Sequence, residues 1–196
     1  MPGFRHRSGA LVALLLTLIA APAAAAADCP PAATLDRPFL RFLDPAQYYL
    51  APGGDFEAAA WDGGNVVAGN EPFQVTGAGK RSLSIAAPAA ATTPTICIGI
   101  EHPTIRFFAQ RTGGPLTAAL GVDVVLTDIT GTERRLPLLP VVSPVTGAWV
   151  LTLPTPILAN VVTLLGPTTD VQFVFTPAAG STWRIDDVHV DPYQRN

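Results

Sequence analysis

Charge and thiol chemistry are scarce in this chain, and the scarcity narrows what it can do. Only 14% of its 196 residues are charged, lysine occurs once, at Lys80, and cysteine twice, at Cys29 and Cys97. A phosphate backbone is gripped by clustered Lys and Arg, whereas here 12 basic residues face 15 acids, so nucleic acid is excluded as a partner. Neither cysteine has a CxxC companion, which removes redox and zinc sites. No GxSxG elbow, HExxH run or metal-spaced Cys/His cluster occurs. Gly77-Ala78-Gly79-Lys80-Arg81-Ser82 echoes a phosphate loop, but Gln74 stands where its first glycine belongs and Arg81 where Ser or Thr must follow Lys. His102, before a proline, and His189, between Val188 and Val190, read as surface residues and not as bases. A glycosidase needs two carboxylates flanking a cleft; Glu57, Glu71, Glu101 and Asp123 are available, but no spacing pairs them. A protein that is not an enzyme is expected.

Long apolar runs are missing too, save one at the start. Arg5 and Arg7, the apolar run Ala10 to Ala20 and the small residues Ala23 to Ala27 read as a signal peptide over residues 1–27. The run falls short of the roughly 20 residues of a membrane span. Its removal leaves ten basic and fifteen acidic residues, an acidic secreted chain. In an oxidising compartment one Cys29–Cys97 disulfide is the economical reading, and two free thiols are the alternative. Closing so long a loop would be worth on the order of 4 kcal/mol.

What is abundant is turn chemistry between short apolar runs, 20 prolines and 17 glycines in all. Residues 28–52 are broken by Pro38, Pro45 and Pro52 and read as an irregular N-terminal segment packed on the domain through Phe39, Phe42, Tyr48 and Tyr49. Residues 53–196 read as one β domain. Strands are expected at Asn65 to Ala68, Pro72 to Val75, Arg81 to Ala86, Thr95 to Ile100, Thr104 to Gln110, Leu120 to Thr127, Glu133 to Leu139, Ala148 to Leu153, Asp170 to Thr176 and Thr182 to Val190. Pairs such as Leu83/Ile85, Val122/Val124 and Phe173/Phe175 recur at every second position, which is the period of a half-buried strand. Pro156 to Leu165 fits either helical turns or a strand. The fold class expected is all-β, a two-sheet antiparallel β-sandwich.

The stretch Ser181 to Asp191 organises the rest. Trp183 and Ile185, then Val188 and Val190, are apolar, so the inward parity changes between Ile185 and Val188. One extra residue is needed at Asp186 or Asp187, and a β-bulge supplies it.

Gly54-Asp55-Phe56-Glu57 with Trp61, then Arg81-Ser82-Leu83-Ser84-Ile85, and finally Trp183-Arg184-Ile185-Asp186-Asp187-Val188, resemble the carbohydrate-binding modules with a galactose-binding-like jelly roll. The whole chain also resembles uncharacterised secreted actinobacterial proteins that end in a WRIDDVYVDPY-like sequence. The resemblance implies that the first and last strands are neighbours and that a structural calcium sits between them, held by Glu57, Asp186 and Asp187, with Asp55 a further candidate. Calcium takes six to eight oxygens, and two adjacent buried aspartates are too repulsive to stay ionised without a cation or donors. The alternative is that one aspartate caps a turn or pairs with Arg184 or Arg106 while the other is solvated. Sugar binding implies an exposed ring with polar neighbours. Arg106, Phe108 and Gln110 share one face of their strand and, with Trp149, form the candidate ligand-binding set; Phe108 in the core is the alternative. The expected partner is an extracellular glycan or cell-envelope component. A surface interaction module without sugar binding is the competing reading, and a glycoside hydrolase a third.

Overall fold

The computed structural model describes residues 34–58, 60–99, 104–128, 131–157 and 168–191. The signal segment, Cys29, Glu101, His102 and residues 158–165 of the ambiguous stretch lie outside them. The described chain is all β, its strands being β1 (Tyr49–Leu50), β2 (Asn65–Ala68), β3 (Arg81–Ala86), β4 (Ala91–Thr92), β5 (Ile96–Gly99), β6 (Thr104–Gly113), β7 (Leu120–Thr127), β8 (Glu133–Pro137), β9 (Trp149–Leu151), β10 (Thr155–Pro156), β11 (Thr168–Pro177) and β12 (Thr182–Asp191).

These strands form two antiparallel sheets that pack as a β-sandwich. In the first the order is β10-β6-β12-β3-β2, with β9 also on β6 and β1 on β12. In the second it is β4-β11-β7-β8, with β5 also on β11. Alternation explains the pairing of faces: along β7, Leu120, Val122, Val124 and Leu126 are buried while Gly121, Asp123 and Val125 are not. Leu83, Ile85, Phe107, Trp183 and Ile185 from one sheet meet Val122, Val124, Phe173 and Phe175 from the other, all of them buried. Each such side chain is worth roughly 1.5–3 kcal/mol of burial. Phe56 and Trp61 join this core, their rings edge to face at 4.7 Å. Cys97 lies on β5, and no cysteine among the described residues is free.

One expected strand is not there. Pro72 to Val75 is a turn, because the Glu71 carboxylate accepts the backbone N–H of Phe73 and, at 2.9 Å, that of Val75. Those donors are lost to any ladder, and Gln74 takes a φ of 54°, outside strand geometry. The two-residue strands β1, β4 and β10 are too short to leave a periodic signal.

A second apolar layer covers part of the first sheet from outside. Residues 36–48 form a strap, closed on itself where Asp36 N donates to Tyr48 O and Tyr48 N to Asp36 O, at 2.9 and 2.8 Å. It carries a 3-10 turn, Leu40–Phe42. Phe39 and Tyr48 pack under it against Phe108, with Phe42, Phe73 and Trp149 alongside.

Candidate functional site

β12 carries the carboxylates because its parity changes midway. Trp183, Ile185, Val188 and Val190 all enter the inter-sheet core, and the register with β6 shifts between Asp186 and His189. The extra residue is Asp187, whose φ of 47° is a left-handed conformation that Asp tolerates better than bulky residues. Beyond the bulge the GGDFE loop docks on the strand: Ala51 N donates to Val188 O at 2.8 Å and Val188 N to Gly54 O at 3.1 Å. Glycine at 54 permits that approach, since a Cβ there would stand 2.8 Å from the Val188 carbonyl.

Three acids meet at the bulge. Glu71, Asp186 and Asp187 are all buried. Asp186 accepts the backbone N–H of Glu71 at 2.9 Å and that of Asp187 at 3.0 Å. Thr76 and the Glu71 carboxyl are the near neighbours of Asp187. Burial is the main force on both aspartates and lifts Asp186 to about 8, against the pull of the Glu71 N–H. Asp187 is raised by burial as well, with Thr76 opposing and Glu71 adding. Neither aspartate pairs with Arg106 or Arg184, so the sequence alternative of an arginine partner is not what the fold uses; backbone N–H groups and a neighbouring acid take that place.

Glu57 lies beside this cluster and not in it. Its Oε1 accepts the N–H of Lys80 at 2.6 Å and of Arg81 at 2.8 Å. A hollow of about 180 Å³ runs between, lined by the acids Asp55, Glu57, Asp186 and Asp187 together with Asn70 and Gly79, and by no basic side chain. Its donor set is oxygen-rich and acidic, which suits a hard cation such as calcium. Among the described residues no three acidic, histidine or cysteine side chains converge closely enough to hold a metal by themselves. Amide and backbone oxygens at the rim would have to complete the shell.

The outer face of the first sheet divides in two. In the covered half, Phe108 is fully buried under the strap, its ring 5.8 Å from Phe42 and 5.6 Å from Phe73. Arg106 is buried with it, ion-paired to Asp44, its Nε donating to Thr152 O at 2.9 Å and its guanidinium 4.9 Å over Phe39. His189 is the correction here. It faces outward, as expected, but Phe39 and Tyr48 cover it at ring distances of 5.2 and 6.5 Å. Burial pushes its pKa down to about 4. The ring is therefore neutral, and because Nδ1 lies 2.7 Å from the Asp187 carbonyl, that nitrogen carries the hydrogen.

The open half is a row across five strands. Trp149 pairs with Gln110, Gln110 with Arg184, Arg184 with Ser84 and Ser84 with Asn65. None of the five is buried. Neighbouring strands lie about 4.8 Å apart, so the strip extends roughly 19 Å. Gln110 Nε2 donates to Gly147 O at 2.6 Å, which fixes the amide.

Of the four predicted ligand residues, the fold thus brings Gln110 and Trp149 together on the open strip and places Arg106 and Phe108 under the strap. Arg184, Ser84 and Asn65 were missed because only strand register, and no local spacing, sets them beside Gln110. Glu71 was missed as a cluster member because Glu-Pro-Phe-Gln-Val reads as a strand; an acid just ahead of a proline and a run of free N–H groups was the available signal. Of the acids considered for hydrolysis, Glu101 lies outside the described residues, Glu71 closes its turn, and Asp123 pairs with Arg135 at 3.4 Å.

No family model matches the chain, and no curated relative does. Solved structures are similar. A xylan-binding domain of carbohydrate-binding module family 22 superposes with a TM-score of 0.50 at 16% identity, covering 78% of this chain and 99% of that one. A family 22 xylan-binding domain from Paenibacillus barcinonensis gives 0.47 at 16%, over 70% and 86%. A family 61 module in complex with β-1,4-galactotriose gives 0.40 at 14%, over 73% and 97%. At such identities the first of these shows a shared sandwich fold.

Proposed function

We propose that this chain is a secreted, non-catalytic glycan-binding module whose ligand lies on the open strip. One observation carries the reading: Trp149, a half-buried ring at the end of a flat row, is followed across four strands by Gln110, Arg184, Ser84 and Asn65. An indole offers a flat apolar face to the apolar face of a sugar ring, and amide, hydroxyl and guanidinium groups beyond it match sugar hydroxyls. The likeness in fold to a xylan-binding domain supports the same reading. Retention of the protein on a panel of plant and bacterial polysaccharides tests it. Loss of retention in Trp149→Ala, with a melting temperature lowered by no more than about 4 °C, is the expected result; retention on no polymer overturns it.

Calcium belongs to this reading as a structural ion. Glu57, Asp186 and Asp187, with Asp55 behind them, would hold it, and it would supply the positive charge the buried aspartates lack. A rise in melting temperature with calcium, reversed by chelator and absent in Glu57→Gln, is expected. The Cys29–Cys97 bridge is part of the proposal too, and peptide mapping without reductant checks it.

A second reading has its own observation. Leu139, Val142 and Val145 are exposed on one loop, at 67%, 64% and 55%. Such apolar exposure suits a protein-interaction module, and it gains if no polysaccharide is retained.

A further inference from the structure

Arg184 is the one arginine on the open strip, and it differs from the arginines that the fold consumes. Arg106 is paired with Asp44, Arg134 with Asp128 and Arg135 with Asp123. Arg111 is fully buried and donates to the carbonyls of Gly114 and Ser143 at 3.0 and 3.2 Å. Arg184 makes a single long bond, Nη1 to Ala68 O at 3.3 Å, and among the described residues no acid stands within ion-pair distance of it. The nearest acid on its own strand, Asp186, is buried and occupied by backbone N–H groups.

Its position is shared with other cations. The bond to Ala68 takes the guanidinium to the end of β2, and across that end lie Lys80 and Arg81, which with Val66, Val67 and Ala68 line a second hollow of about 460 Å³. Ala68 pairs directly with Arg81, and Gly69 N donates to Lys80 O at 2.7 Å. The only lysine of the chain and Arg81 therefore lie at the end of β2 that Arg184 reaches, in a protein of net negative charge, with Arg81 on the parity of Leu83 and Ile85 and Arg184 on that of Ser84. Arg81 spends one donor on Glu57 O at 3.3 Å. The residue is otherwise exposed.

We propose that the ligand of the strip is an anionic saccharide bearing carboxylates, a polymer of uronic-acid type, and that Arg184 is the group that reads its charge. This rests on the glycan reading above. A guanidinium is a planar fork that matches a carboxylate with two parallel hydrogen bonds, which a neutral hydroxyl cannot reciprocate. Trp149 lies two strand spacings away, roughly 10 Å, so one residue of the polymer stacks on the indole while a later one presents its carboxylate to Arg184. Lys80 and Arg81 add positive charge at the end of β2.

The test uses one polymer backbone with and without charge. Binding of polygalacturonate and of its fully methyl-esterified form is measured by affinity electrophoresis and calorimetry, in chelator so that no cation bridges the carboxylates. The wild-type protein is expected to bind the acid form at least tenfold more tightly, with affinity falling as salt rises. Arg184→Gln should lose that preference, so that the acid and the ester bind alike. Arg184→Lys, which keeps charge and loses the fork, should recover only part of it. Trp149→Ala should weaken both forms. Equal binding of acid and ester, or a preference that survives Arg184→Gln, overturns the charge reading and leaves the glycan reading standing. Tighter binding to dextran sulfate than to polygalacturonate overturns it as well, since bulk charge would then suffice. No retention of either form, by protein that melts cooperatively, overturns both.

Discussion

The two halves of the outer face are built from the same strands and yet do opposite things. On β6, Phe108 is sealed beneath the strap while Gln110, two residues on, stands open; on β12, His189 is sealed while Arg184 is open. The difference lies in what reaches them. The strap brings Phe39, Tyr48 and Asp44 over one half and stops short of the other. Covering half of a face with the chain's own aromatics turns that half into core and leaves the other open, where the proposed ligand would lie. Stability should therefore respond to changes in the covered half, and binding to changes in the open one.

The largest effects on stability fall under the strap. Phe39→Ala removes a fully buried ring that touches Tyr48, Phe108 and His189, at 5.0, 6.1 and 5.2 Å between ring centres. About 3–5 kcal/mol of unfolding free energy should be lost in urea titrations. A loss under 1 kcal/mol would show that the strap is a loose cover and not a second core.

Asp44→Asn comes next. It leaves Arg106, whose side chain is only 9% exposed, without its counter-charge. Removing one partner of a buried pair costs about 3–5 kcal/mol, and the low end applies because Thr152 O and the Phe39 ring still hold the guanidinium. If the variant is as stable as wild type, the ion pair is incidental to the strap.

The sequence made the inter-sheet core and the bulge legible and left this division of the outer face hidden. Parity along Trp183-Arg184-Ile185-Asp186-Asp187-Val188 is local, so the extra residue at the bulge could be placed within one position. The alternation of Leu83/Ile85 and Val122/Val124 likewise followed from period alone. Whether Phe108 is platform or core depends on a strap more than sixty residues upstream in sequence. No periodicity carries that information. Arg106 and Phe108 shared a face with Gln110 as the pattern said; which of them would be covered was a matter of tertiary placement. The turn after Glu71 was misread for a related reason, because a side chain took the hydrogen bonds that β propensity assigned to a ladder.

The bulge separates the two halves, and pH probes it. Without a cation, acids whose folded pKa is raised cost stability as pH climbs. Below about pH 4 both the folded and unfolded chains keep the protons. Between about 4 and 8 the unfolded chain releases them and the folded chain holds that of Asp186, so stability falls by about 1.4 kcal/mol per pH unit for each such acid. Urea midpoints in chelator should decline from pH 5 to pH 8. If calcium binds at Glu57, Asp186 and Asp187, it favours the ionised carboxylates, so its addition should raise the midpoint more at pH 8 than at pH 5. A flat profile in chelator would mean the aspartates are solvated in the folded state.

The smallest change in stability belongs to the open half and is the sharpest test of the comparison. Trp149 packs one edge against the Phe108 cluster and is otherwise half-buried. Truncating it to alanine removes apolar contact on one side only, which at roughly 25 cal/mol per Å² of area lost from burial comes to about 1 kcal/mol or less. The same truncation takes away the only ring on the strip, so retention on polysaccharide should vanish. Phe39→Ala should do the reverse, weakening the fold while the surviving folded molecules bind. If Trp149→Ala unfolds the protein as strongly as Phe39→Ala, the two halves form one core, and the strip is no platform but the uncovered rim of the strap's packing.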